Sequence, residues 1–578
     1  MKLRLRFVVL FATITSTSLC FAGGGMRPER AEHGMVVSVH QLASQAGVEM
    51  MQAGGNGIDA AVATGFALAV VHPAAGNIGG GGFMLIRMND GTTHFLDFRE
   101  KAPGKATATM YQDAQGNVIP MLSRVGYKAV GVPGSVKGLV EAQKQFGKLT
   151  LKQVMAPAIR LARDGYALSW DDARSMSNDA ELAKYPDSRR IFQNDGKGWK
   201  HGDKFRQPQL ARTLERIVAE PDDFYRGKMA REFVQFMKDG GGLITEEDMA
   251  NYDVKDRVPV RGTYRGLDII SAPPPSSGGI ALVETLNILE GFDLAKSGAS
   301  SAKSVHLVAE AYRRAFFDRA QYLGDPEFSD VPVLELADRK YAADWRKSID
   351  LQHASASTQL QRPETSAPLK RYALEHPVLA PGKEPVHTTH YSVVDADGNA
   401  VAVTTTLNGG FGSKVTAGSL GFLLNNEMDD FSSKPGTPNM FGLIQGDENA
   451  IGPNKRPLSA MTPTIVLKDG KLWLVLGTPG GPTIITTVAN ILIGVADFGL
   501  DIQQAVNAPR FHHQWLPDRI LLERNRFSPD TIELLQAAGH TIAFGGVGDG
   551  ECIQIDLQTG VRLGASDARN ENGRAVGY

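Results

Sequence analysis

Residues 387–408 read His-Thr-Thr-His-Tyr-Ser-Val-Val-Asp-Ala-Asp-Gly-Asn-Ala-Val-Ala-Val-Thr-Thr-Thr-Leu-Asn, and this stretch constrains the chain more than any other. β-Branched and aromatic residues fill two arms. Asp397-Gly398-Asn399 supplies the turn, so a β-hairpin is predicted. On propensity alone, Thr388 and Thr389 are ordinary strand residues. Their position gives them a second meaning. The hairpin starts abruptly after a Pro-rich, weakly patterned tract, residues 377–385. If the bond before Thr388 is cut, Thr388 becomes an N-terminus. A threonine there carries nucleophile and base together. Its hydroxyl attacks, and its own α-amine, with a reference pKa near ~8, takes the proton.

A chain of 578 residues with 42% hydrophobic and 21% charged content has ample material for a large core. The net charge of -2 and the lack of a basic tract argue against nucleic acid as a partner. The first six residues are basic, and residues 7–20 form a short apolar run. This pattern reads as a secretory leader, residues 1–22, with Ala22 before the cleavage point. Leu19 is not the small residue that a lipid-anchor site at Cys20 needs. The run is too short for a permanent membrane span, and no later run is long enough. Removal of the leader leaves Cys552 alone, so no intrachain disulfide is expected.

Along the chain, residues 41–53 and 59–70 pattern as helices, the second with almost no polar residue and so buried between layers. Gly79-Gly80-Gly81-Gly82 lacks the Lys-Ser/Thr of a phosphate loop and feeds a strand, which favours close backbone packing. Residues 93–100 alternate like a strand ending on Arg99 and Glu100, a pair that reads most simply as exposed strand-end charges. Helices are predicted over 135–146, 151–165, 280–289, 304–323 and 484–493. Residues 168–256 look mostly helical, and 353–386 read as a linker.

Beyond the hairpin, polar residues cluster. Asp395-Ala396-Asp397-Gly398-Asn399 imitates a calcium loop, but its Gly comes too early and Thr406 stands where the closing Glu belongs, so it reads as a turn. Thr406 and Asn408, two apart, are expected on one strand face. Asn425-Asn426-Glu427-Met428-Asp429-Asp430 is either a solvated loop or a cluster that needs a cation when buried. Gly480-Gly481 before a helix is either a tight turn or a pair of bare N–H groups facing an oxyanion. His512 and His513 point to opposite faces of a strand and read as structural rather than as a zinc site.

The wording of these stretches resembles the γ-glutamyltranspeptidases, N-terminal-nucleophile hydrolases made as one precursor that cuts itself in two. Thr388-Thr389-His390-Tyr391-Ser392-Val393-Val394-Asp395 is similar to the start of their small subunit. Asp97-Phe98-Arg99-Glu100 with Ala102-Pro103, and the run from Asn454 to Thr464, are similar to two further family motifs. The resemblance extends from about Val39 to Tyr578.

The resemblance implies an α+β fold, a four-layer α/β/β/α sandwich with two stacked antiparallel sheets. It implies a leader over 1–22, a large subunit over 23–387 and a small catalytic subunit over 388–578. Thr388 becomes the nucleophile and Thr406 the residue that orients it, with Gly480 and Gly481 as the oxyanion hole. Arg99 and Ser459 then hold the substrate α-carboxylate. Asn408, Glu427 and Asp430 hold its α-ammonium. The implied reaction is transfer of a γ-glutamyl group, as from glutathione, to water or to an amino acid or dipeptide. No metal or organic cofactor is implied, and the compartment would be the periplasm.

Two departures bear on specificity. Phe441 stands in the lid-like segment 432–451 where well-known bacterial members have Tyr. Ala460 stands where a second serine commonly follows Ser459, and an uncompensated hydrogen bond lost there costs about 1–3 kcal/mol. Two other readings remain open: an acylase acting on glutaryl-type side chains on the same scaffold, and a secreted binding protein that keeps the fold uncut.

Overall fold

The computed structural model describes residues 26–363 and 386–578. The expected leader and most of the Pro-rich tract lie outside the described residues. The predicted hairpin forms from the strands Val386–Val394 and Ala400–Gly409. It sits in the middle of an antiparallel seven-stranded sheet. The spatial order is Arg574–Gly577, Met35–Ser38, the two hairpin strands, Gly81–Arg87, Thr93–Phe98 and Lys255–Arg257. A second antiparallel sheet of seven runs Glu29–Ala31, Arg562–Ser566, Glu551–Ile555, Lys471–Leu476, Thr464–Lys468, Leu267–Ser271 and Val260–Tyr264.

Alternation along the central strands sorts side chains between two cores, because successive residues face opposite sides of a sheet. Val401, Val403, Met84 and Ile86 face a helical layer that includes Gln41–Gln52, Gly57–Val71, Ser135–Phe146 and Leu151–Asp164. Ala400, Ala402, Phe83 and Leu85 face the other sheet and meet Ile270, Ile465, Val475 and Ile553. The outer face of the second sheet is covered by Gly278–Leu289, Ala302–Tyr322 and Thr483–Ala496. The expected four-layer α/β/β/α sandwich is therefore present. Sequential layers of this kind let both sheets be apolar on both faces, which is why so few strands here read as half-polar.

The helix Gly57–Val71 is buried along its whole length, as its composition requires. Its start is set by a capping box: Asn56 Oδ1 accepts from the N–H of Asp59, and the Asp59 carboxylate accepts from the N–H of Asn56 at 2.7 Å. Ala302–Tyr322, predicted as a helix over 304–323, is buried more deeply than its many charged residues suggest. From Ser304 to Tyr322 every residue is buried, charged ones included. Glu310 pairs with Arg313 and Arg314, and Asp318 with Arg362.

Two residues beyond Thr388, His390 is wholly buried between the sheets. Its Nδ1 lies 2.9 Å from Thr404 Oγ1 and its Nε2 lies 3.1 Å from Ser392 Oγ. Ser392 spends its own hydrogen on Glu551 O, so Nε2 must carry the proton and Nδ1 must accept. Burial pushes the imidazole down to about 3, so it stays neutral. Gly477, at the end of Lys471–Leu476, packs against this ring. A Cβ there would lie 2.1 Å from His390 Cε1. Gly477→Ala is expected to lower the thermal unfolding midpoint through overpacking of about 1–3 kcal/mol. Differential scanning calorimetry of the variant beside the parent checks this.

Candidate active site

The site grows out of an irregularity in the hairpin. Thr388 pairs with Thr406, but Val386 pairs with Gly409, so the second strand carries one extra residue between them. Asn408 lies in that bulge with φ 76°, a left-handed conformation that breaks simple alternation. Thr406 and Asn408 therefore come to the same cleft through a bulge and not, as expected from spacing, by sharing a regular strand face. Thr406 Oγ1 accepts from the N–H of Asn408 at 2.7 Å and lies 3.4 Å from Thr388 Oγ1. Asn408 Nδ2 donates to Asn426 O at 3.0 Å. The Thr388 side chain is 7% exposed, at the bottom of a cleft of about 330 Å³.

Eight of the nine residues expected in the site line this cleft: Arg99, Thr388, Thr406, Asn408, Glu427, Asp430, Ser459 and Gly481. Gly480 lies one residue outside the lining. The two glycines take φ 146° and 54°. A Cβ on Gly480 would lie 2.4 Å from Thr483 Oγ1, so the turn is closed to larger residues. Gly480 O accepts from the Thr483 N–H and Gly481 O from the Ile484 N–H, which opens the helix Thr483–Ala496. Among the described residues neither glycine N–H has a protein acceptor. Two unfilled donors at a helix N-terminus make a place for negative charge.

Arg99 is not an exposed strand-end charge. It is 1% exposed and its Nη1 is 3.8 Å from Glu100, which is equally buried. Its guanidinium instead bridges Glu427 through Nη1 and Asp430 through Nη2. The strand end places it: the Arg99 N–H donates to Asp97 Oδ1 at 2.9 Å, and Tyr252 Oη donates to Arg99 O at 2.9 Å. Nε reaches Pro457 O at 3.2 Å. The acidic stretch is likewise no solvated loop. Glu427–Asp430 is a buried 3₁₀ turn. Its Asp429 carboxylate accepts from Ser123 Oγ at 2.6 Å and from the Met440 N–H at 2.9 Å, which ties the segment 432–451 to the site.

Burial dominates the electrostatics. It raises the Glu427 carboxyl well above the usual range, against the pull of Arg99 and with repulsion from Glu100 and Asp430. Glu100 is pushed up to about 7 by burial, again against Arg99. Burial opposes the Arg99 charge, but Glu427 and Asp430 outweigh it and hold the guanidinium protonated. Ser459 Oγ accepts from the Met461 N–H at 3.0 Å, which leaves its hydrogen to be donated. Ala460 and Phe441 both line the cleft, so both departures from the family wording fall inside it.

Three further lining groups were not foreseen: Arg319, the backbone about Leu458 and Met461, and the apolar edge from Leu443 and Ile484. Arg319 is one of several charged residues of the helix Ala302–Tyr322, so no local signal marks it. The two histidines beyond the site are structural. His512 bonds Thr486 and Gln514, and His513 bonds Asp518 and the Trp515 N–H. Burial pushes them down to about 4 and about 3. Among the described residues no group of His, Cys, Asp or Glu is arranged to hold a metal ion. No described helix is long and apolar enough to cross a membrane.

A family profile described as Gamma-glutamyltranspeptidase matches residues 43–577. The chain belongs to that family. Among relatives of this γ-glutamyltranspeptidase-family chain, the glutathione hydrolase proenzyme of Escherichia coli (strain K12) is 48% identical over 556 residues, covering 95% of this chain and 93% of the relative. A solved γ-glutamyltranspeptidase chain of Helicobacter pylori is 45% identical with TM-score 0.56, covering 59% of this chain and 97% of that one. A solved cephalosporin acylase of Bacillus halodurans is 27% identical with TM-score 0.83, covering 99% of each chain.

The pH dependence of stability follows from Glu100. Its folded-state value near 7 lies above its ordinary 4.5, so folding favours the protonated form. That contribution is full below pH 4.5 and is lost as pH rises through 7. The unfolding midpoint is expected to fall across this window. Glu100→Gln, which keeps the neutral form at every pH, should flatten the slope, with Glu427 leaving a residual. Thermal melts at half-unit pH steps check it.

Proposed function

We propose that this protein is a self-processing γ-glutamyltransferase and glutathione hydrolase, and that Thr388 is its nucleophile. The observation that carries the reading is the convergence, in one cleft, of Thr388 against Thr406 with an opposite-charge set, Arg99 against Glu427 and Asp430. Such a set suits a zwitterion. The substrate's α-carboxylate takes Arg99 and the Ser459 hydroxyl. Its α-ammonium takes Glu427, Asp430 and the Asn408 carbonyl oxygen. The substrate thus replaces each half of the internal ion pair with its own opposite charge, so no buried charge is left without a partner.

Maturation precedes turnover. Thr388 Oγ attacks the carbonyl carbon of His387, and the acyl group passes from nitrogen to oxygen. That shift frees the Thr388 amine; water then cleaves the ester, leaving a carboxylate on His387 and a free Thr388 hydroxyl, and separates a large subunit, 23–387, from a small one, 388–578. The proenzyme name of the Escherichia coli relative supports this, as does the solved Helicobacter pylori chain, which is almost wholly matched yet spans only 59% of this chain. In turnover Thr388 Oγ attacks the γ-carbonyl, and the α-amine takes the proton. The N–H groups of Gly480 and Gly481 hold the oxyanion, and Thr406 orients the hydroxyl. Collapse expels the amine product with the proton. The γ-glutamyl ester then passes to water, or to an amino acid or dipeptide. The basic and apolar start of the sequence supports export to the periplasm.

Intact mass of the purified protein beside Thr388→Ala tests the nucleophile. Two fragments in the parent, the smaller starting at Thr388, and a whole chain in the variant are expected. An uncut parent would sink the mechanism and favour a binding role.

Ala460 leaves open a second reading, an acylase for glutaryl-type side chains, which keep the carboxylate and lack the α-ammonium. Comparison of γ-glutamyl and glutaryl anilides separates the two. If the γ-glutamyl reading holds, Ala460→Ser is expected to lower KM about tenfold for the γ-glutamyl anilide, the worth of one hydrogen bond to a charged group. The glutaryl anilide, which keeps that carboxylate, is expected to respond in the same direction but to remain the poorer substrate, because it leaves Glu427 and Asp430 without an ammonium partner.

A further inference from the structure

Two guanidinium groups line the cleft, and they are occupied differently. Arg99 is spent on Glu427 and Asp430. Arg319 is 2% exposed, and its Nε donates to Ser277 Oγ at 2.9 Å. Its Nη1 is buried with no hydrogen-bond partner among the described residues. A buried charge with an unfilled donor is costly, and a fold keeps one where a ligand completes it. Burial draws Arg319 down to about 10, against the pull of Asp430, so it remains a cation at neutral pH.

The same contacts say what it faces. Ser277 Oγ and the Ser277 N–H both reach Ser459 O, at 2.6 and 2.8 Å. Arg99 reaches Pro457 O and Leu458 O on the same segment. Both guanidiniums are therefore anchored to one wall of the cleft, residues 457–459. Ala460 follows directly and presents no hydroxyl.

We propose that Arg319 is a second carboxylate-binding residue, sharing the α-carboxylate of the γ-glutamyl group with Arg99 beside Ala460. The proposal rests on the γ-glutamyl reading. An incoming carboxylate reaches Arg99 only as that group parts from two acids. Arg319 Nη1, in contrast, has no acceptor among the described residues to give up. Arg319 therefore takes a carboxylate oxygen at no cost in broken pairs, while Arg99 joins as the substrate ammonium takes over Glu427 and Asp430. A guanidinium gives more than the missing serine would, because a hydrogen bond between ions is stronger than one from a neutral hydroxyl.

The test uses the full chain, matured, as wild type, R319Q and R319K. Two anilides are compared: γ-glutamyl-p-nitroanilide and γ-aminobutyryl-p-nitroanilide, which keeps the amine and lacks the α-carboxylate. R319Q is expected to raise KM for the γ-glutamyl anilide about 10- to 100-fold, with kcat and the other anilide changed no more than about threefold. R319K, which keeps the charge and loses the fork, should recover only part of that loss. If R319Q does not mature, R319K carries the comparison, and its KM should rise selectively on the γ-glutamyl anilide. Equal losses on both anilides, or no change on either, overturn the proposal while leaving the γ-glutamyl reading in place. Wild-type enzyme that cleaves neither anilide overturns both.

Discussion

The pairing of Val386–Val394 with Ala400–Gly409 is the constraint on which the rest depends. It puts Thr388 opposite Thr406, near the start of a central strand and in the lining of the cleft. Every other layer holds this hairpin still. Strands flank it on both sides, apolar side chains fill the space above and below, and His390 is locked as a neutral ring between Thr404 and Ser392. A slip of one residue would turn each of these side chains to the wrong face. The single bulge at Asn408 is the tolerated exception, and it lies in the cleft beside Thr388 and Thr406.

The second organising interaction is electrostatic. A buried Arg99 facing two buried acids is stable only because the charges answer each other, and the raised Glu427 and Glu100 carboxyls show how little solvent helps. The arrangement is a held zwitterion. A ligand carrying its own carboxylate and ammonium fits it by exchange of partners. A ligand with only one charge would leave one side of the pair unanswered.

Much of the fold was legible in the sequence. The hairpin, the buried helix Gly57–Val71 and the strand fed by four glycines all carried local patterns, and the structure has them within a few residues. The helix Ala302–Tyr322 was legible as a helix but not as a buried one. Its charges look like a solvated face, and only the partners Arg362, Ser277 and Ser348, distant in sequence, show that they are satisfied inside. The acidic run from Asn425 to Asp430 was ambiguous for the same reason. Its meaning depends on Arg99, more than three hundred residues away.

By itself the sequence determined the periodicities, the turn at Asp397-Gly398 and the presence of a threonine after a Pro-rich tract. It also carried the motif wording that marks the family. These are properties of neighbours along the chain, where backbone sterics and side-chain spacing act directly. Tertiary structure alone decided that Arg99 is bonded to Glu427 and Asp430, that Thr406 and Asn408 meet across a bulge, and that Arg319 lines the cleft with a donor unfilled. The reason is physical. Burial and the pairing of charges depend on which surfaces meet, and that is set by the packing of whole layers, not by any local stretch.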